Sequence, residues 1–155
     1  LPLGAMAQKF AHMNSQEVII AMPEYTKAQA DLEAMSKQYQ EEMQRSQTEF
    51  NKKVQEFQQQ ADSLPKNIAE RRQKELQDMA QRQEEFQQEA YQNMQKANQD
   101  ALVPIYKKLD EAIQAVGKAE GVIYIFDLAR TSIPYVNESQ SINLTSKVKA
   151  NLGIK

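Results

Sequence analysis

The sequence predicts a mainly α-helical protein with a small β-containing base, in which a long antiparallel helical hairpin occupies the middle of the chain. Of the 22 glutamines, 18 lie between residues 24 and 100, and that span contains one proline and no glycine. Its apolar residues recur at intervals of three and four, which is typical of one face of a helix. β-Branched and aromatic residues collect instead in short runs near the two ends of the chain.

The first seven residues allow two interpretations. Ala5-Met6-Ala7 before Gln8 resembles the small-residue end of a secretory signal peptide. Residues 1–7 could equally be a scar of recombinant expression. The signal interpretation would place the protein outside the cytoplasm, where no ATP is available.

Residues 8–22 begin the predicted base. Lys9–Met13 is a candidate strand, and Asn14-Ser15 offers an N-cap to a short apolar helix that stops near Pro23. Together with residues 101–155, this segment is assigned to a base that carries the subunit contacts.

Residues 23–100 form the predicted hairpin. From Tyr25 to Leu64 the apolar spacing averages about 3.55 residues, a value between a strict heptad and a straight helix, which predicts a helix with a shallow left-handed supercoil. Pro65 disfavours helix at Leu64, so the tip of the hairpin is placed near residues 62–67. A second helix is expected to restart at a cap on Asn67 and to continue to Val116.

The seam between the two predicted helices is thin. Arg72 and Gln83 occupy positions where an obligate core would show leucine. We therefore expect the far end of the hairpin to be mobile and the end near the base to be well packed.

The C-terminal part completes the base. Val122–Phe126 is predicted to be a strand, Ile133–Val136 is predicted to be an edge strand because of Pro134, and Asn143 is expected to cap a final helix. So small a base buries little by itself, which favours partner subunits. The residues with surplus apolar surface are predicted to form the interface: Ile105, Leu109, Ile113, Val122, Tyr124 and Phe126.

Composition argues against catalysis. The chain has no cysteine and one histidine, His12, so thiolate nucleophiles and sites with several histidines are excluded. We expect no enzyme activity, no metal and no cofactor. A formal charge of −2 gives no general attraction for nucleic acid, and the sequence contains no apolar run long enough for membrane insertion.

The order of these segments resembles the Skp (OmpH-like) family of periplasmic chaperones. The most specific matches are Phe10-Ala-His-Met-Asn-Ser15 and Val122–Lys149. The resemblance implies a jellyfish-shaped homotrimer whose hairpins enclose a cavity for unfolded outer-membrane β-barrel proteins. Better-known relatives are strongly basic, whereas this chain is slightly acidic, so binding of lipopolysaccharide or anionic lipid is not carried over.

The hairpin side chains are expected first of all to form the seam, and secondly to offer a diffuse client-binding surface. Tyr91 lies off the seam and is the better single candidate for facing a cavity. A second group, at the tip, has a local charge of +3 when Glu70 is included. The client-binding candidates are Met35, Tyr39, Met43, Phe50, Phe57, Met79, Phe86, Tyr91 and Met94, and the tip cations are Lys66, Arg71, Arg72 and Lys74.

Two functions compete. The leading hypothesis is an ATP-independent holdase, because the sequence contains no phosphate-binding glycine motif. The alternative is a structural coiled-coil or adaptor protein that binds one defined partner. The thin, methionine-bearing seam favours the holdase.

Overall fold

The computed structural model describes residues 8–155. The prediction of a signal remnant or an expression scar concerns residues 1–7, which lie outside the described part. In chain order, the elements are β1 (Phe10–Met13), α1 (Ser15–Ala21), α2 (Pro23–Gln60), a 3-10 turn (Ala61–Ser63), α3 (Lys66–Glu120), β2 (Tyr124–Asp127), β3 (Ser141–Asn143) and α4 (Thr145–Asn151). Two long helices and one small sheet confirm the predicted fold class.

The chain divides into two compact units. Within the described residues, the base unit contains 8–29 and Gln99–Lys155, and the hairpin unit is Ala30–Asn98. None of the helices within residues 8–155 is both long and apolar enough to cross a membrane.

The sheet of the base unit has three parallel strands in the order β2-β1-β3. β1 is central: Phe10 is level with Tyr124 on one side and with Ser141 on the other. Ala11 and Met13 point into the core and are completely buried. The remaining core side chains come from the helices and from the segment before α4: Val18, Ile19, Met22, Ile105, Leu109, Ala112, Val116, Leu144 and Val148.

The helix ends follow local chemistry. Asn14 caps α1 as predicted, because its side-chain oxygen accepts a hydrogen bond from the Gln16 amide at 3.1 Å. α3 ends at Glu120, and the φ of +66° at the following Gly121 is a left-handed conformation that glycine adopts without strain.

Two predicted features are wrong. Residues 133–136 form no strand: Pro134 lacks an N–H, and the third strand of the described sheet is instead β3, whose short Ser-Ile-Asn sequence carries little strand signal. α3 begins at Lys66, not after a cap at Asn67, because the Pro65 carbonyl already accepts the Ile68 and Ala69 amides at 3.0 Å. The prediction for Asn143 needs a smaller change: it ends β3, and its Oδ1 accepts the amide of Thr145, the first residue of α4, at 3.1 Å.

Candidate functional site

A polar contact fixes the register of the hairpin seam. Gln83 Nε2 donates to Ser46 Oγ at 3.2 Å, and these two half-buried residues are called the polar pair below. Next to them, the rings of Tyr39 and Phe86 meet edge to face with centroids 5.7 Å apart. Asn93 Nδ2 donates to the Tyr39 hydroxyl at 3.1 Å. α2 and α3 are therefore antiparallel neighbours with a defined register.

The seam is shallow throughout the hairpin unit. No residue of α2 is buried along its full length of 38 residues. In the part of α3 that belongs to this unit, Ala90 alone is buried, with 6% of its surface exposed. Apolar side chains between the helices therefore keep part of their surface in contact with solvent.

The structure brings the predicted client-binding residues together along this seam, with one exception. Tyr91 is 65% exposed and lies off the seam, as predicted from its register. The others are half-buried: Met35, Tyr39, Met43, Phe50, Phe57, Met79, Phe86 and Met94.

Two grooves open along the seam. One has a volume of about 230 Å³ and is lined by Met43, Ala80 and Phe86 beside the polar pair. The other, of about 280 Å³, lies near the tip between Phe57 and Leu76. Both mix apolar with polar side chains, which suits varied contacts better than one small ligand.

The tip cations are all exposed. Arg72 Nη1 lies 3.5 Å from Glu75 Oε2, so part of its charge is offset by a neighbour one helical turn away. Such a loose, solvated pair contributes little to stability. The tip therefore carries a weak local positive field.

The predicted interface residues of the base unit fall into two groups. Ile105 and Leu109 are 3% and 0% exposed, so they are already covered by other residues of the same chain. Ile113 and Val122 are partly buried against the same core. Tyr124 and Phe126, by contrast, are 59% and 40% exposed, and these two retain surface for a partner.

Phe10 joins this exposed surface, and the sequence reasoning missed it. Its ring stacks on Tyr124 at 6.5 Å with planes 7° apart, and Tyr124 lies 5.8 Å from Phe126. The three rings, called the aromatic face below, lie on one side of β1 and β2. The signal that could have revealed Phe10 is the parallel register of these strands, since level residues point to the same side.

A family model described as "Outer membrane protein (OmpH-like)" matches residues 9–152. The chain belongs to the OmpH-like family. It is also similar to a crystal structure designated an outer membrane chaperone (OmpH-like) from Caulobacter crescentus, with a TM-score of 0.81. That match has 18% identity and covers 96% of this chain and 86% of the other, so it shows a shared fold. No curated protein sequence matches the chain.

Polar groups in the base unit of this OmpH-like protein are engaged in structure. His12 is buried, and its Nδ1 lies 2.7 Å from Ser141 Oγ in the neighbouring strand. Asp127 Oδ1 accepts the amides of Ser15 and Ala129 at 3.1 Å, which ties β2 to the start of α1. Within residues 8–155, no cluster of histidine, aspartate and glutamate could hold a metal ion.

Arg130 links three groups at the edge of the base unit. Its guanidinium lies 2.8 Å from Asp110 Oδ1, 3.3 Å from Asp127 Oδ2 and 4.9 Å from the Tyr106 ring centre. Asp127 Oδ2 is buried and has no aligned hydrogen-bond donor, so Arg130 compensates it by charge alone. This network joins β2 and its following turn to α3.

One further ion pair, between Lys108 and Glu24, lowers the pKa of a carboxylate. The Lys108 side chain hydrogen-bonds the Glu24 carboxylate and holds the pKa of Glu24 below its ordinary value. Both groups are largely exposed. The pair is a surface contact, not an acid-base site.

Proposed function

We propose that this OmpH-like protein is a chaperone that acts as an ATP-independent holdase in the periplasm. It would bind unfolded outer-membrane β-barrel proteins and prevent their aggregation. Membership of the family and the chaperone designation of the C. crescentus structure support this proposal. The observation that carries it is the absence of any buried residue in α2, because a hairpin with so shallow a seam presents apolar side chains to a client.

Retention of a client would come from many weak contacts. Methionine is flexible and polarisable, so Met35, Met43, Met79 and Met94 can repack around different apolar segments. Tyr91 would add an exposed ring. No nucleotide cycle is required, because release would follow when a client finds a more stable folded state.

Charge has a minor role in this proposal. Residues 24–100 contain 15 acidic and 11 basic residues, a formal charge of −4, so the hairpin cannot attract acidic clients generally. The tip cations could steer acidic client segments locally. Binding of anionic lipid is not part of the proposal.

Self-association as a homotrimer is proposed through the base unit. Phe10, Tyr124 and Phe126 expose 39%, 59% and 40% of their surfaces on the aromatic face. Contiguous exposed rings on a small unit favour a partner surface. Three copies would then bring three hairpins around one client, as the family resemblance implies.

An adaptor function is the second candidate. The polar pair gives the hairpin a defined register, and one polar contact in a helical seam can specify a unique pairing. A unique groove could hold one folded partner.

An aggregation assay separates these functions. The full chain should suppress aggregation of several unrelated unfolded β-barrel proteins and should leave native proteins unbound. The test variant changes the four hairpin methionines, Met35, Met43, Met79 and Met94, to Gln. A matched control with four substitutions changes the tip cations to Gln.

The expected result is a larger loss of holding in the methionine variant than in the tip variant. Circular dichroism of both variants checks that the helices persist. Binding of a single native partner, with no protection of unfolded proteins, would overturn the holdase in favour of the adaptor.

A further inference from the structure

The sulfur atoms of the protein differ in their access to solvent. The chain has seven methionines and no cysteine. Met43 and Met79 are half-buried in the hairpin unit. Met13 and Met22, in the core of the base unit, are 0% and 1% exposed. A diffusing oxidant therefore reaches the hairpin pair before the core pair.

The register of the seam places Met43 and Met79 each level with a phenylalanine. Counting three residues back from the polar pair on α2 and three forward on α3 reaches Met43 and Phe86, which line the same groove. Counting four residues the other way reaches Phe50 and Met79. The polar pair thus lies between two levels that each carry a methionine and a phenylalanine, and a sulfur that comes close to a ring favours helix pairing.

We propose that Met43 and Met79 form an oxidation site through which a peroxide loosens the middle of the hairpin. The thioether sulfur attacks one peroxide oxygen, the O–O bond breaks and the S–O bond forms. Proton transfer to the departing oxygen releases water, so sulfur is oxidised by two electrons and the peroxide is reduced by two. A methionine sulfoxide reductase would reverse the change.

The consequence follows from the position of the two residues. A sulfoxide is polar, so oxidation would place a polar group beside the ring at the same level. Oxidation of both methionines would place a polar group on each of three successive levels of the seam, the polar pair being the middle one. Since α2 has no buried residue, no deeper packing holds these levels together. This inference depends on the register and on exposure, and not on client binding.

The test treats the full chain with graded hydrogen peroxide and maps the added oxygen on peptides by mass spectrometry. Hydrogen exchange then measures the opening of the helices. We expect Met43 and Met79 to gain oxygen before Met13 and Met22. Amide exchange in residues 40–53 and 76–89 should become about tenfold faster, with little change in the base unit.

Two double variants make the test specific. Met43→Leu/Met79→Leu conserves side-chain volume and removes the sulfur, so peroxide should leave its exchange unchanged. Met35→Leu/Met94→Leu, the matched control elsewhere on the seam, should respond as the parent does. Equal loosening of the Met43→Leu/Met79→Leu variant would overturn the proposal.

Oxidation of both sulfurs in the parent without faster exchange would also overturn it, and so would earlier oxidation of the core methionines. These readouts on the parent need no substitution. The aggregation assay on untreated protein tests the proposed holdase separately, so failure of one idea can be told from failure of the other.

Discussion

Replacing the polar pair by leucines should stabilise the hairpin seam. Ser46 and Gln83 are half-buried and joined by one hydrogen bond of 3.2 Å. The double variant Ser46→Leu/Gln83→Leu removes the donor and the acceptor together, so neither polar group is left without its hydrogen-bond partner. Two apolar side chains then meet at a half-buried level between the two helices.

The expected size follows from burial. A fully buried leucine contributes about 1.5–3 kcal/mol, and a half-buried one about half of that. Two leucines thus contribute about 2 kcal/mol. The lost hydrogen bond costs about 1 kcal/mol. The free energy of opening the hairpin should rise by about 1 kcal/mol, which slows local amide exchange roughly fivefold.

Single variants test the coupling. Gln83→Leu alone removes the donor to Ser46. The increase in the free energy of opening should therefore be less than half of the increase in the double variant. A double-mutant cycle isolates this difference, expected at about 0.5 kcal/mol or more because the residues are in contact. Gln40→Leu/Gln92→Leu, on exposed positions of the two helices, is the matched control and should leave the opening free energy almost unchanged.

Hydrogen exchange of residues 40–53 and 76–89 is the assay, with urea unfolding as a second measurement. If the hairpin of the double variant opened as easily as that of the parent, or more easily, the polar pair would not be what weakens the seam, and the register argument would fail. A stiffened seam should also hold clients more weakly, because less apolar surface is free to repack. Holding that improves with stiffness would contradict the proposed use of the seam.

Three further predictions concern the base unit, acid sensitivity and client binding. Phe126→Asp places a charge on the aromatic face and should convert the proposed homotrimer to monomers in light scattering, and an unchanged oligomer would locate the interface elsewhere. Because the folded-state pKa of Glu24 lies below its ordinary value of 4.5, its pairing with Lys108 stabilises the protein above about that pH and is lost as the pH falls through the folded-state pKa. Lys108→Met should therefore lower the free energy of unfolding by less than about 1 kcal/mol near pH 6. In urea unfolding, this free energy should also fall less with acid in the variant than in the parent, and identical pH profiles of the two proteins would refute the coupling. Client affinity should change less than about tenfold between low salt and about 0.3 M NaCl, since apolar contacts are not screened, and a steep salt dependence in a titration would show that charge captures the client.

Periodicity was sufficient to predict both long helices, because three- and four-residue spacing over so many residues has no other regular interpretation. The strands were harder. Val122–Phe126 was recognisable from its residue types, but β3 is a three-residue strand defined by its partner β1 and not by its own side chains. Strand preference depends on neighbours that a linear sequence does not reveal.

The candidate site divides in the same way. The half-buried state of the seam could be predicted, because Gln83 signalled weak packing where a leucine would be expected. The hydrogen bond from Gln83 to Ser46 could not be predicted. The two residues are 37 positions apart in the sequence, and their contact depends on the register between α2 and α3. Ile105 and Leu109 looked like surplus apolar surface until the structure packed α1, α4 and β1 against them.

The central position of β1 has a consequence for how the protein folds. Phe10 pairs with Tyr124 and with Ser141, so the sheet needs contacts between distant parts of the chain. The hairpin needs only neighbouring turns and a partner across a short tip, and such local contacts form early. During synthesis, the helices can therefore assemble before both flanking strands are available to pair with the edges of β1. Closure of the sheet should be the slow step, and a chain interrupted before residue 141 would leave one edge of β1 unpaired.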